Sequence, residues 1–351
     1  MTNDKPDLKN FTLDDLTAFV RKMGLKPFRA RQIFSWLYRP GITSFPQMTD
    51  LSLELRDALA QKARISIFIP YTVEKSKDGT VKFAFRLDDG ALIESVLIPE
   101  QDRNTLCISS QVGCAMECTF CLTGTMGFKR NLNPSEMVNQ VCAAIEYITG
   151  KEMGSLNNLV FMGMGEPLAN LSNLLSALDI LMDQRGLDFS SRRITVSTCG
   201  LIPQIEKLGR HSTVNLAISL HAVNDKTRDQ LMPVNKKYPL NDLFEACRMF
   251  PLPKRRRIMI EYVLLKDVND SPSEAALLAK RLRNIRCKIN LIPFNETAPL
   301  PFLKPPPERL ETFREILRKA GYTVIIRNSR GADISAACGQ LAGKSYTLKK
   351  S

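Results

Sequence analysis

The sequence predicts an α/β protein in which a mostly parallel sheet follows a purely helical segment, and three observations predict it. Beyond residue 100, strand-like runs alternate with helical ones. From Leu13 to about Ala63 the apolar spacing is helical and strand signals are absent. Between Thr80 and Pro99 the pattern changes to alternation.

In the helical segment Leu16, Phe19 and Val20 share one face, followed by Ile33, Phe34 and Leu37, then Leu51, Leu55 and Leu59. Gly24 closes one helix and Pro27-Phe28-Arg29-Ala30-Arg31 opens the next. The flanks of that turn carry Arg21, Lys22, Lys26, Arg29 and Arg31. They suit either a small nucleic-acid-binding module or a helical cap with a solvated basic face. Val81, Phe83, Phe85 and Leu87, then Asp89-Gly90, then Leu92 to Leu97, read as a β-hairpin that bridges two units. Strand-like runs follow at Leu106 to Ser109, Leu159 to Met162, Ile194 to Ser197, Val214 to Ser219, Met259 to Leu264, Lys288 to Ile292 and Val324 to Arg327. Helix signals lie between them: Asn133-Pro134-Ser135-Glu136 opens one helix, Asn170 caps another, and Pro305-Pro306-Pro307 leads into Leu310, Phe313 and Leu317. Such βαβ alternation gives a sheet that is either doubly wound or curled into a partial or full barrel. In both cases ligands sit at the C-terminal strand ends.

A chain of 351 residues, 44% of them hydrophobic, is expected to form about two domains. Lys and Arg number 49 against 36 Asp and Glu, a formal charge of +13 that suits a polyanionic partner such as nucleic acid, although solubility alone would also account for it. Met1 to Asn10 is polar, and no stretch approaches the ~20 apolar residues that span a bilayer, so a cytoplasmic protein without membrane contact is expected. Nine cysteines in a cytosolic chain point to metal binding or catalysis rather than structural disulfides.

Three of those thiols fall within eight residues, in Gly113-Cys114-Ala115-Met116-Glu117-Cys118-Thr119-Phe120-Cys121, just after the first strand of the α/β part. Three local thiolates could hold a four-iron cluster and leave one iron open. A structural zinc site would call for a fourth ligand, and the two histidines, His211 and His221, lie far along the chain. Three incidental buried cysteines are the remaining reading.

The Cys-x3-Cys-x2-Cys spacing with Phe120 before the last cysteine resembles the signature of the radical S-adenosylmethionine enzymes. The likeness extends through Cys107-Ile-Ser-Ser-Gln-Val-Gly-Cys114, Gly163-Met-Gly-Glu-Pro167, Ser219-Leu-His221, Asn290-Leu-Ile-Pro-Phe-Asn295 and Ala337-Cys338-Gly-Gln-Leu341. Together these resemble the ribosomal RNA adenine C2-methyltransferases of that superfamily. The resemblance implies a partial (β/α) barrel of the radical SAM type with an N-terminal accessory helical domain and a connecting β-hairpin. The expected divisions are residues 1–70 for an RNA-binding helical domain, 71–100 for the hairpin linker, 101–343 for the barrel with its catalytic cysteine loop, and 344–351 for a basic tail.

The resemblance also implies a chemistry. Carbon 2 of adenine lies between two electron-withdrawing nitrogens and cannot attack an electrophilic methyl group, whereas a carbon radical can add there. One S-adenosylmethionine would methylate Cys338. A second, bound at the open iron of a [4Fe-4S] cluster on Cys114, Cys118 and Cys121, would yield the radical that takes hydrogen from that methyl. The methylene radical would add to the base; Glu94 would accept the proton from carbon 2, and Cys107 would release the RNA through a transient disulfide with Cys338. Gly165, Glu166 and Pro167, with Ser197, Ser219, Leu220, His221 and Asn295, would contact S-adenosylmethionine. The implied substrates are adenosine 2503 of 23S rRNA and adenosine 37 of some tRNAs, served by an electron donor such as flavodoxin or ferredoxin, in a monomeric enzyme. Glu94 is expected to face the cysteine loop, and small, glycine-flanked neighbours are expected to make the Cys338 loop mobile. Lys129-Arg130, Arg192-Arg193, Lys236-Lys237 and Lys254 to Arg257 are candidate phosphate contacts, while Cys142, Cys199, Cys247 and Cys287 read as packing. Two alternatives stand beside this one: a carbon 8 methylating resistance relative, which Val112 before Gly113 and the Gly-Glu-Pro at Glu166 disfavour, and a zinc-stabilised RNA-binding protein without catalysis.

Overall fold

A computed structural model describes residues 5–342; the expected basic tail 344–351 lies outside the described residues. Thr12 opens α1 (Leu13–Lys22) with a capping box to Asp15, and Ser52 caps α3 (Leu53–Lys62); α2 (Phe28–Leu37) lies between them. The anticipated faces are buried, with Leu16, Val20, Ile33, Phe34 and Leu59 fully covered. They belong to one hydrophobic cluster that continues into the α/β part. Polar bonds add to the join: the Lys9 ammonium donates to Asn139 Oδ1 at 2.9 Å, and the Ser135 amide donates to Asn10 Oδ1 at 2.9 Å.

Strands β1 (Thr72–Lys75), β2 (Val81–Arg86) and β3 (Leu92–Glu100) pair antiparallel, and β3 also pairs antiparallel with β4 (Arg103–Cys107). The hairpin read as a bridge is therefore the antiparallel edge of the main sheet. The reason lies in its burial: β2 and β3 are covered on both faces over most of their length, so the second edge of β3 needs a partner strand.

After β4 come β5 (Gln111–Gly113), α4 (Leu122–Thr125) and β6 (Phe128–Asn131); β5 and β6 form a small separate sheet that the sequence pattern did not reveal. Then α5 (Pro134–Gly150), opened by the expected Asn133 and Glu136 capping box, leads into β7 (Leu156–Phe161). The alternation proceeds through α6 (Leu171–Met182), β8 (Ile194–Thr198), α7 (Ile202–His211), β9 (Asn215–Ser219), α8 (Asp225–Leu231), α9 (Leu240–Met249), β10 (Ile258–Leu264), α10 (Pro272–Arg281), β11 (Cys287–Pro293), α11 (Pro307–Lys319) and β12 (Val324–Ile326).

The parallel strands lie in the order β4-β7-β8-β9-β10-β11-β12, which is also chain order. With no reversal in that order, right-handed crossovers put every helix on the same side of the sheet, so it curls rather than winding both ways. The sheet ends at β1 and β12, which makes the barrel partial. Among the described residues no helix is long and apolar enough to cross a membrane.

Candidate active site

The parallel strands open at their C-terminal ends onto one cavity of about 170 Å³. The cysteine loop forms one wall. At its base Gly113 has φ +74, and a Cβ there would stand 1.8 Å from the Gly127 carbonyl oxygen, so only glycine lets the loop close. The Cys114 amide donates to that same oxygen at 3.1 Å. Cys121 is the N-cap residue just before α4, and its amide donates to the Cys118 carbonyl at 3.1 Å. All three thiols line the cavity, joined there by Cys199 and Cys338, and none of the nine cysteines is in a disulfide.

Burial pushes the Cys114 thiol up to about 12 and the Cys118 thiol well above its ordinary value, and it raises Cys121 as well. Metal binding would therefore have to displace three protons. Among the described residues no three His, Cys, Asp or Glu side chains converge as ligands of a single ion. A cluster makes no such demand, because each thiolate binds a different iron. Soft donors on one short loop thus fit an iron-sulfur cluster.

Next along the wall is the turn after β7. Gly165 has φ +94, and a Cβ there would lie 2.4 Å from Gln111 Cβ; Gln111 Oε1 in turn accepts the Glu166 amide at 2.8 Å. The Glu166 carboxylate is buried and already engaged: Oε1 accepts the Leu168 amide at 3.0 Å and Oε2 the Cys199 amide at 2.8 Å. It ties the turn to the end of β8, so any ligand ammonium must share it with the backbone. Burial raises its pKa.

Ser197 and Ser219 end β8 and β9 with their hydroxyls 3.5 Å apart in the cavity wall. His221 follows at φ +56, its ring edge-on to Phe120 at 4.9 Å, so cysteine loop and β9 meet through two rings. Its Nδ1 accepts the Val263 amide at 3.0 Å, which leaves Nε2 carrying the proton as a donor. Burial, then the nearby Arg228, lower the His221 pKa to about 3 and keep the ring neutral. Leu220 lies outside the cavity wall and acts through its backbone: its amide donates to Glu261 O at 3.0 Å and its carbonyl accepts from Arg228 Nε at 3.0 Å.

Asn295, after β11, donates through Nδ2 to the Cys338 carbonyl at 3.2 Å and accepts the Ser329 hydroxyl. Gly339 O accepts the Leu122 amide at 2.8 Å and Leu341 O accepts the Thr123 hydroxyl at 2.6 Å, so α4 grips the segment that carries Cys338. The expected mobile loop is therefore docked, with the Cys338 side chain still exposed. Cys107 ends β4 behind the wall; burial first, then the proximity of Cys338, push its thiol up to about 12. Glu94 stands outside the cavity wall, 1% exposed beneath the C-terminal segment, where Oε2 accepts the Ala342 amide at 3.0 Å; the carbonyl of the preceding Leu341 accepts the hydroxyl of Thr123, two residues past Cys121. Its strand, β3, lies one strand beyond β4.

Comparison with known proteins adds to this geometry. Residues 6–65 match the profile described as the ribosomal RNA large subunit methyltransferase N-terminal domain, and residues 108–279 match the radical SAM superfamily. A dual-specificity RNA methyltransferase RlmN of Desulfotalea psychrophila is 58% identical over 97% of this chain and 95% of its own. One of the same name from Geobacter sulfurreducens is 56% identical over 98% and 94%. The chain belongs to the RlmN family. A crystal structure of a radical SAM methyltransferase from Sphaerobacter thermophilus, 44% identical, superposes with a TM-score of 0.91 over 97% of this chain and all of that one. Membership of the RlmN family brings a [4Fe-4S] cluster and S-adenosylmethionine as cofactors, and RNA as partner. The zinc-protein alternative falls with it.

Sequence reasoning missed several residues of this RlmN-type site. Cys199, read as packing, lines the cavity and binds Glu166. Glu261 and Arg327 also line it; Asn290 donates to Glu261 Oε1 at 3.0 Å, while Cys338 is the strongest influence holding Arg327 charged. Arg228 is wholly buried beneath the strand ends. Nothing in the spacing of these residues separates them from ordinary core or surface positions.

The His221 shift has a measurable consequence. Between pH ~6.5 and about 3 the unfolded chain binds a proton that folded His221 refuses, so this residue makes the fold lose stability as pH falls through that window, by at most ~1.4 kcal/mol per unit. Urea midpoints measured at pH 6.5 and 5 should therefore drop less for His221→Gln than for the parent. An equal drop in both would show that the ring is not held neutral.

Proposed function

We propose that this chain methylates carbon 2 of adenosine 2503 in 23S rRNA and of adenosine 37 in some tRNAs. The observation that carries the reading is the placement of Cys338: its thiol is exposed in the same cavity that Cys114, Cys118 and Cys121 line. A cysteine tethered beside a cofactor site can receive a methyl group and then hold it within reach of the next event. The carbon 8 alternative lacks such support, since the relatives carry the RlmN name throughout their length.

When bound, the cluster and S-adenosylmethionine supply an electrophilic methyl group and, after one-electron reduction, a hydrogen-abstracting carbon radical. The chain's own residues do the rest. Cys114, Cys118 and Cys121 hold the cluster. Ser197, Ser219 and the His221 Nε2–H offer hydrogen bonds suited to ribose and adenine, and the Gly165-Glu166-Pro167 turn faces the amino-acid part. Cys338 carries the one-carbon unit to the base, Glu94 takes the proton from carbon 2, and the Cys107 thiolate attacks the Cys338 sulfur, breaking its bond to the carbon now joined to the base and leaving a disulfide; that carbon takes up a proton to become the methyl group, and the unpaired electron of the adduct would return to the redox centre that supplied it. The helices of residues 1–70, with their basic turn, serve as an RNA-binding accessory unit, and 71–100 and 101–343 as hairpin and barrel. The reading further places a monomer in the cytoplasm, reduced by flavodoxin or ferredoxin.

Mass spectrometry of rRNA and tRNA from a deletion strain tests substrate and carbon together: the 2-methyladenosine at both positions should disappear, and its persistence would end the proposal. In anaerobic assays Cys338→Ala should transfer no methyl group while the bound cofactor is still cleaved under reduction; full transfer would exclude the tethered route. Cys107→Ala should accumulate protein joined to RNA on denaturing gels, and free RNA alone would remove its releasing role.

A further inference from the structure

We propose that Lys82 is a positioning residue for this reaction, one buried ammonium that keeps the Glu94 carboxylate and the Cys338-bearing segment in a fixed relation. The inference rests on the roles assigned to Glu94 and Cys338.

Lys82 lies on β2, paired with Glu74 of β1 on one side and Val96 of β3 on the other. Alternation along an isolated hairpin would turn it to solvent together with Ala84 and Glu94, which share its face. That face is covered, and the Lys82 side chain is only 4% exposed. Its Nζ donates to the Ile334 carbonyl at 2.6 Å and stands 3.1 Å from Glu74 Oε2 and 3.6 Å from Glu94 Oε1. Glu94 thus presents one oxygen to Lys82 and the other to the Ala342 amide. One cation reaches both the proton acceptor and the segment that carries the methyl group.

The segment from Gly331 to Ala342 is moored to the hairpin on both sides of Cys338. Before it, the Gly331 amide donates to Asp78 Oδ2 at 2.9 Å, Asp333 accepts the Ser76 hydroxyl at 2.6 Å and the Lys77 amide at 3.2 Å, and Lys82 holds Ile334. After it, Ala342 is bound by Glu94. Gly331 has φ +65, and a Cβ there would come within 2.8 Å of Ala336 Cβ and 2.9 Å of Thr80 Cγ2, so the approach is as close as the backbone allows. The exposed anchors, Ser76, Lys77 and Asp333, compete with water. Lys82 does not, because its side chain is withdrawn from water between two carboxylates. Removing it would deprive Glu94 of a counter-charge and Ile334 of its donor in one step.

Hydrogen exchange and single-turnover kinetics on the reconstituted enzyme test this with Lys82→Met, Lys82→Arg and Asp333→Ala. Lys82→Met should raise amide exchange across residues 331–342 by about tenfold or more while β8 to β11 keep parental protection. Its kcat should fall at least about tenfold with the KM for RNA little changed, and the protein–RNA adduct should persist because proton removal is slowed. Lys82→Arg should restore most of the protection and the rate. Asp333→Ala, which cannot fail by burying a charge, should loosen the same segment with a smaller loss of kcat because Glu94 keeps its partner. Unchanged exchange at 331–342 in Lys82→Met, unchanged kcat, or loosening spread evenly through the barrel would each overturn the proposal. A parent enzyme inactive on RNA would instead count against the methyltransferase reading, since the exchange result does not depend on the reaction.

Discussion

The mouth of the barrel depends on one buried guanidinium. Where β8 and β9 end, the chain leaves the ladder, and its last carbonyls need donors from elsewhere in an apolar setting. Arg228, wholly buried on α8, gathers them: Nε donates to Leu220 O at 3.0 Å, and one Nη donates to Cys199 O at 2.7 Å and to Ser219 O at 3.2 Å. The other Nη donates to Asn235 Oδ1 at 2.9 Å. A planar fork with five donors can serve several oxygens at once; a lysine, as a point charge on a flexible stem, would not hold three carbonyls from two strands in register. Fixing Cys199 aims its amide at Glu166, and fixing Leu220 sets where His221 turns. Positions on three consecutive strands are thereby coordinated from below.

The same cation shapes the electrostatics. Its nearest compensation is indirect, through Asn235, whose amide reaches Asp225 Oδ1 at 2.9 Å and Asp229 Oδ1 at 2.6 Å. The positive charge therefore stays close to the cavity while its counter-charges stand farther out. Burial keeps His221 neutral and that charge adds to the effect, while it draws the Cys118 and Cys199 thiols downward against the larger opposing effect of burial. An anionic cluster on buried thiolates needs such a charge nearby, because burial alone would penalise it. The cysteine loop supplies the ligands, and α8 supplies the field.

How much of this could be read from sequence follows from how local each signal is. The cysteine spacing, the capping boxes at Thr12 and Asn133 and the seven parallel strands are short-range features, and the structure has them within a few residues of where periodicity puts them. The choice between a doubly wound and a curled sheet required strand order, which periodicity does not carry. Lys82 and the burial of Glu94 were illegible for a plainer reason. Their face of the hairpin alternates with Val81, Phe83 and Phe85 as a solvated face would, and it is buried only because residues some 250 positions later fold across it. Arg228 sits in Asp225-Lys226-Thr227-Arg228-Asp229, which reads as an ordinary charged surface helix; its burial is decided by the strand ends beneath it.

The placement of the two partner thiols suggests how the reaction is kept in order. Cys107 is sealed at the end of β4, and burial together with the proximity of Cys338 holds it protonated, with a pKa near 12 that Arg327 only partly offsets. A protonated thiol is a poor nucleophile, so at rest Cys107 does not compete for an electrophilic methyl group. Cys338 is exposed, with Arg327 close by, and is the thiol open to the cofactor. Burial, the larger cause of the raised Cys107 pKa, is the same whatever Cys338 carries. The order of the two thiols is therefore set by position: Cys338 is exposed in the cavity where a methyl donor would lie, while Cys107 is covered at the end of β4 and can act only on a sulfur brought to it.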